Sequence, residues 1–247
     1  EYLFLILGSG RLDVFQKGGD SLAGRYFLFH LWPLTLAELN PHKKDFPSFA
    51  KNPLEVPPIH PSTKPTWETL SQLSGFPEPF LSGKTAFYQR WAQIYAQQLI
   101  REDIRNATNI KHIDTVETLF SLLSSRVGSP LSLASLSGDL QTSFTSIRDW
   151  LEIFERFYLI FRLSPFSQKI SRAITKEKKL YLFDYVQIQD PAIRFENMVA
   201  LELFRAINTW NDLGGGPFSL FYLRNKEKEE VDFLITQNRK PHLLIEA

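Results

Sequence analysis

Residues 194–210 read RFENMVALELFRAINTW; after a glycine-rich turn come FSLFYLRN (218–225), EEVDFLIT (229–236) and HLLIEA (242–247). The first run has helical spacing and the other three have the length and apolar content of short strands. On the helix, Glu196 falls on the stripe of Val199, Leu203, Ile207 and Trp210, which puts a carboxylate on the face expected to be buried. In the second strand Val231, Phe233 and Ile235 take one side and Asp232 the other, and in the third Glu246 shares a side with Leu244. Acids on a helix and two adjacent strands can converge, and a divalent cation such as Mg²⁺ is the usual reason. The other reading open at this point has Glu196 capping or pairing inside the domain and the strand acids in solvent. Arg224 either faces the acids and binds phosphate or pairs with Glu227 or Glu229.

This order resembles the PD-(D/E)XK, restriction-endonuclease-like fold: a helix with Glu, a strand with Asp, and a strand ending Glu-x-Lys. Here the last motif reads Glu246-Ala247 and the sequence stops where the lysine is expected. The resemblance implies a truncated α/β domain over 185–247 with Glu196, Asp232 and Glu246 as catalytic acids and Asp232 and Glu246 holding Mg²⁺.

The 247 residues are 43% hydrophobic and 22% charged, ample for one large core or several small ones. A net charge of +1 means that nucleic-acid binding has to come from local patches. The absence of cysteine removes disulfides and thiolate metal sites and suits a reducing, cytoplasmic setting. No run of 18 apolar residues is present, so no membrane span is expected. The chain opens at Glu1 and closes inside a strand pattern, and is expected to be a fragment.

At the other end, residues 2–7 are a continuous apolar run leading to Gly8-Ser9-Gly10, and Arg25 opens RYFLFHL before Pro33 and a short helix, TLAEL. Strand, helix and strand in this order suggest the edge of an α/β sheet. The run GSGRLDVFQKGGDSLAGRYFLFHLWPLTLAEL resembles the second half of the core of prokaryotic AAA-type ATPases that carry a nuclease-like C-terminal domain of unknown function. That resemblance implies ATP binding, with Ser9 sensing the γ-phosphate and Arg25 acting as an arginine finger, a task suited to an always-charged guanidinium. It also implies homo-oligomers through the ATPase domains. Apart from the resemblance, Ser9 reads as a turn residue and Arg25 as a surface ion-pair partner. Gly83-Lys84-Thr85 is a decoy for a phosphate loop, because Glu78 stands where that loop needs glycine.

Residues 40–65 are proline-rich and read as an irregular linker, with GFPEPFLSGKT as a further connector. Amphipathic helices follow. The first, over 85–106, has Phe87, Trp91, Ile94, Tyr95 and Leu99 in line; the second has Val116, Leu119, Phe120 and Leu123. LSLASLSGDL and TSFTSIRDWLEIFERFY read as two more, the latter with Ile147, Leu151, Phe154 and Tyr158 in line and Thr142, Ser143 or Thr145 as cap. Strands LIFRLSPF and LYLFDY flank a basic segment. Two helices and a hairpin are the order of a winged helix, a module the same family carries. Its expected DNA contacts are Arg148 on the second helix and Lys169, Arg172, Lys176, Lys178 and Lys179 at the hairpin tip, with packing or protein contact as the alternative role.

The reading is therefore a multidomain chain, α/β and α+β: an AAA remnant (1–40), a connector (41–84), a helical, winged-helix domain (85–184) and the truncated nuclease-like domain (185–247). The expected function is a binding or regulatory part of an ATPase, inert alone, with an ATP-coupled Mg²⁺-dependent DNA nuclease as the alternative.

Overall fold

The structure, a computed structural model, describes residues 27–40, 60–108, 110, 112–167, 176–225, 227 and 229–247, together with 5, 7 and 8. Ser9, Arg25, Lys169, Arg172 and residues 41–59 of the 40–65 linker lie outside the described residues. What is described is mixed α/β, with helices packed around two small antiparallel sheets.

The first described segment corrects an expectation. Residues 27–34 form no strand. Phe27, Phe29 and Leu31 are 91%, 64% and 96% exposed, while His30 and Trp32 turn inward. An apolar, β-prone run becomes a strand only where a neighbour completes its ladder, and none does so among the described residues. Two side chains hold it instead, together with the Leu34 N–H, which donates to Gly75 O. His30 Nδ1 lies 2.8 Å from Asp212 Oδ2, and Trp32 stacks on Phe183 beside Tyr158 and Phe204. Helix α1 (Leu36–Leu39) then starts on a capping box in which Thr35 and Glu38 satisfy each other's backbone N–H groups.

Part of the expected connector is helical. Helix α2 (Thr63–Leu73) admits Pro65 because the first turn has no intrahelical partner for its N–H groups. Helix α3 (Pro77–Ser82) has Pro77 at N1 and ends on Gly83 in the left-handed conformation (φ 64°). The Gly83-Lys84-Thr85 sequence is thus a helix end and the start of α4 (Thr85–Gln98), with no strand leading in. Helix α4 runs on through a π-turn (Leu99–Ile104) into Arg105–Ala107. Its inward residues include Tyr88 and Leu99, whereas Ile94 is exposed.

Helices α5 (Ile113–Leu123), α6 (Leu133–Asp139) and α7 (Phe144–Arg156) follow as read. Val116, Leu119, Phe120, Leu123, Ile147, Leu151 and Phe154 are all buried, and Ser143 caps α7 by accepting from the Ser146 N–H. Strand β1 (Ile160–Leu163) pairs antiparallel with β2 (Lys179–Leu182), from Ile160 opposite Leu182 to Leu163 opposite Lys179.

Helix α8 (Pro191–Asp212) begins three residues before the expected Arg194, on an Asp190 cap that accepts from the Ala192 and Ile193 N–H groups. It leads into the antiparallel sheet β3 (Phe218–Arg224), β4 (Glu230–Gln237) and β5 (Lys240–Ile245), with β4 in the middle. The β4–β5 turn is the pair Asn238-Arg239, both at positive φ, the geometry whose twist suits a two-residue hairpin. Helix α8 is covered on two sides. Its Leu203, Ile207 and Trp210 pack on the sheet with Phe218 and Ile235, as the expected stripe implies. Asn197, Met198, Ala200 and Leu201 are buried as well, in the core that runs from Leu70 to Phe233. Among the described residues no helix is long and apolar enough to cross a membrane.

Candidate functional site

Strand β2 positions the centre of the site. Its outer edge is closed by three successive partners: Leu131 N–H donates to Lys178 O, Gly128 N–H to Leu180 O, and the Asn197 amide takes both backbone groups of Leu182. With the backbone held on both edges, alternation sends Lys179 and Tyr181 to one face. That face meets α8 and β4.

Lys179 is 1% exposed. Its Nζ lies 3.3 Å from Glu196 Oε1, 2.5 Å from Glu230 Oε1 and 3.2 Å from Asp232 Oδ1. An ammonium has three N–H donors, and three carboxylates from a helix and a neighbouring strand supply three acceptors. The Tyr222 ring lies 5.7 Å away and closes a further side. Each carboxylate has a second tie. The Tyr181 hydroxyl donates to Glu196 Oε1 at 2.7 Å, the Ala247 N–H donates to Asp232 Oδ2 at 3.1 Å, and Arg224 reaches Glu230 Oε2 at 3.6 Å. Gly128, at φ 74°, lets its loop press against Glu196, since a Cβ there would lie 3.2 Å from Oε2.

Burial sets the electrostatics. Desolvation raises the Glu196 carboxyl above its ordinary range against the pull of the Tyr181 hydroxyl and Lys179, and Asp232 adds to the rise. Desolvation works to lower Lys179, but Glu230, Glu196 and Asp232 together leave it raised, so it is firmly an ammonium. Burial beside Glu196 also raises Tyr181, which stays a neutral donor.

Of the expected acids, Glu196 and Asp232 meet, on the ammonium of Lys179. Glu246 is exposed just beyond β5, where the pairing of Phe233 with Ile245 carries it toward Asp232. Lys179, expected among solvated cations at the hairpin tip, is corrected to a buried position, because three carboxylates compensate its charge there. Lys176 is exposed and Lys178 half-buried at the described edge of that segment. Arg148 is exposed and engaged with Asp149 at 3.0 Å. Arg224 is on the rim of the cluster, 3.6 Å from Glu230 rather than at Glu227 or Glu229.

Sequence reading missed Glu230 and Tyr181. Both follow strand alternation from residues already singled out: Glu230 is two before Asp232, and Tyr181 two after Lys179.

The Mg²⁺ implied by the nuclease resemblance, expected on Asp232 and Glu246, does not fit the described residues, because Asp232 Oδ1 is taken by Lys179 and Oδ2 by the Ala247 N–H. Among the described residues no three His, Asp or Glu side chains form a group able to hold a metal ion. The point shared by Glu196 and Asp232 is filled by a lysine of the chain itself.

A second buried carboxylate lies apart from this cluster. Asp184 accepts from the Tyr88 hydroxyl at 2.9 Å and from Gln187 Nε2 at 2.9 Å, and burial raises its carboxyl above the ordinary range.

A family model described as a domain of unknown function (DUF8612) matches residues 65–185, from α2 to the end of the β1–β2 hairpin. The chain is 28% identical over 180 residues to the uncharacterized protein MJ1544 of Methanocaldococcus jannaschii, covering 68% of this chain and 39% of that protein. It is 21% identical over 247 residues to the uncharacterized proteins Mb2031c of Mycobacterium bovis and Rv2008c of Mycobacterium tuberculosis, covering 97% of this chain and 51% of each. The chain thus spans about half or less of the length of these curated relatives. No solved structure matches it.

Proposed function

We propose that this chain is the C-terminal part of an AAA-type, ATP-binding protein, and that it serves recognition or assembly, not phosphodiester cleavage. The observation that carries this reading is the saturation of Lys179. All three of its N–H donors face carboxylates of the chain, leaving none for a substrate phosphate. A lysine so used is a structural cation, and the acids it holds are compensated by it. The exposed part of α7 favours a protein partner over DNA, since Arg148 is already engaged by Asp149 and phosphate contact needs free cations.

The reading is tested on a longer protein that includes the nucleotide-binding part. ATP turnover is expected, without cleavage of duplex or single-stranded DNA in Mg²⁺ or Mn²⁺, and Asp232→Ala is expected to leave turnover unchanged. Mg²⁺-dependent cleavage that disappears in Asp232→Ala would overturn it. That outcome would favour the alternative, a Mg²⁺-dependent nuclease, whose support is that Glu196 and Asp232 do reach one point.

A further inference from the structure

We infer that Lys179 is a built-in counter-ion standing where the nuclease-like arrangement would seat a divalent cation, so that the acid cluster is a metal-independent ionic clasp. The clasp joins three elements. Lys179 comes from β2, Glu196 from the first half of α8, and Glu230 and Asp232 from β4. Sheet β1–β2 and sheet β3–β5 also meet at the bridge from Pro165 to Tyr222, at the Tyr222 hydroxyl, which donates to Glu177 O, and where Tyr181 packs on Phe233. At that bridge the Tyr222 N–H donates to Ser164 O and the Phe166 N–H to Tyr222 O. The clasp therefore adds a charged tie between the two sheets and the helix, beside their apolar contacts.

Charge and geometry point the same way. Three carboxylates this close repel one another unless a cation is among them. Lys179 provides one positive charge and Arg224 a second at the rim. A hard divalent ion would need the same oxygens at about 2.0–2.6 Å, in space that Nζ already fills. Metal and lysine are thus mutually exclusive, and the fixed backbone of β2 decides for the lysine. The Leu131, Gly128 and Asn197 contacts along its outer edge leave the strand no room to withdraw.

This inference rests on the proposed reading that the cluster does no chemistry, but its test needs neither DNA nor ATP. The purified chain and its Lys179→Ala variant are titrated with MnCl₂, following thermal melting and, by calorimetry, binding. The wild type is expected to show no Mn²⁺-dependent shift. Lys179→Ala is expected to melt lower without metal, to recover with Mn²⁺, and to bind Mn²⁺ at least about tenfold more tightly than the wild type, because the three carboxylates, which form no metal-holding group around Lys179, are then free to turn toward the ion. A wild type that binds and is stabilised by Mn²⁺, or a folded Lys179→Ala indifferent to it, would overturn the inference.

Amine labelling keeps the test open if the variant does not fold. In the wild type Lys179 should be labelled far more slowly than the exposed Lys176, with or without Mn²⁺. Faster labelling of Lys179 in the presence of Mn²⁺ would show the ammonium displaced and would refute the clasp. DNA cleavage by the longer protein alongside a metal-indifferent wild-type cluster would sink the proposed function and leave the clasp standing.

Discussion

Replacing Asn197 by alanine removes a side chain that acts as one residue of β-strand. Asn197 is fully buried, with Oδ1 accepting from the Leu182 N–H at 2.8 Å and Nδ2 donating to Leu182 O at 2.8 Å. It closes the edge of β2 that Gly128 and Leu131 close further along. Alanine leaves a donor and an acceptor buried without partners, at about 1–3 kcal/mol each, so a loss of about 2–6 kcal/mol is expected. For a chain of this size that corresponds to a fall in melting temperature of roughly 4–24 °C. Asn197→Asp should lose at least as much, because a carboxylate accepts from the N–H but turns a second acceptor toward the carbonyl. Asn208→Ala is the control: its Nδ2 donates to the Phe204 carbonyl one turn back in the same helix, at a half-buried site. Denaturant unfolding gives the free energies, and hydrogen exchange at the Leu182 amide reports the bond itself. A loss below about 0.5 kcal/mol, within the range of a bland surface change, with Leu182 still protected, would refute the reasoning.

Gly75→Ala is expected to loosen the 27–34 segment, since a Cβ would lie 2.5 Å from Leu34 O, which cannot yield without shifting the Leu34 N–H bond to Gly75 O; faster proteolysis confined to that segment checks it, and unchanged proteolysis would count against it. For Asp184, burial raises the folded carboxyl above its ordinary 3.8. The stability it contributes is therefore complete below pH ~4 and is lost as pH rises through the raised folded value. Asp184→Asn should remove that loss, so the melting-temperature difference between variant and wild type should move in the variant's favour from pH 4 to pH 7. Glu196 is raised too, but it is common to both proteins and cancels in the difference; parallel pH profiles would refute the assignment to Asp184.

What the sequence made legible follows from how many sides of each element are covered. Helix α5 buries one stripe, so the spacing of Val116, Leu119, Phe120 and Leu123 is the whole of its signal. Helix α8 is covered on two sides. The stripe through Leu203 and Ile207 was legible, while the face holding Asn197 and Ala200 was not, because an asparagine in a helix reads as surface until the strand edge it satisfies is known. The 27–34 segment fails in the opposite way. Its alternating aromatic residues have strand propensity, but propensity does not supply a ladder, and here two anchored side chains and the Leu34 N–H bond to Gly75 O decide the conformation.

The cluster shows the same limit more sharply. Asp232 had two acidic companions within reach of strand geometry: Glu230, two residues back on the same face, and Glu246, near it across the β4–β5 pair. Alternation permits both, and the nuclease resemblance favours Glu246. What separates them is where the compensating charge lies. Lys179 is 53 residues from Asp232 in sequence and comes from a segment whose composition, KEKK, reads as solvated. Once β2 is pinned against Gly128 and Asn197, its ammonium is committed to the β4 face, and an acid on that face is stabilised by it, while Glu246 is exposed just beyond β5. Which acids gather around Lys179 is thus set by the edge contacts of a strand that carries none of them.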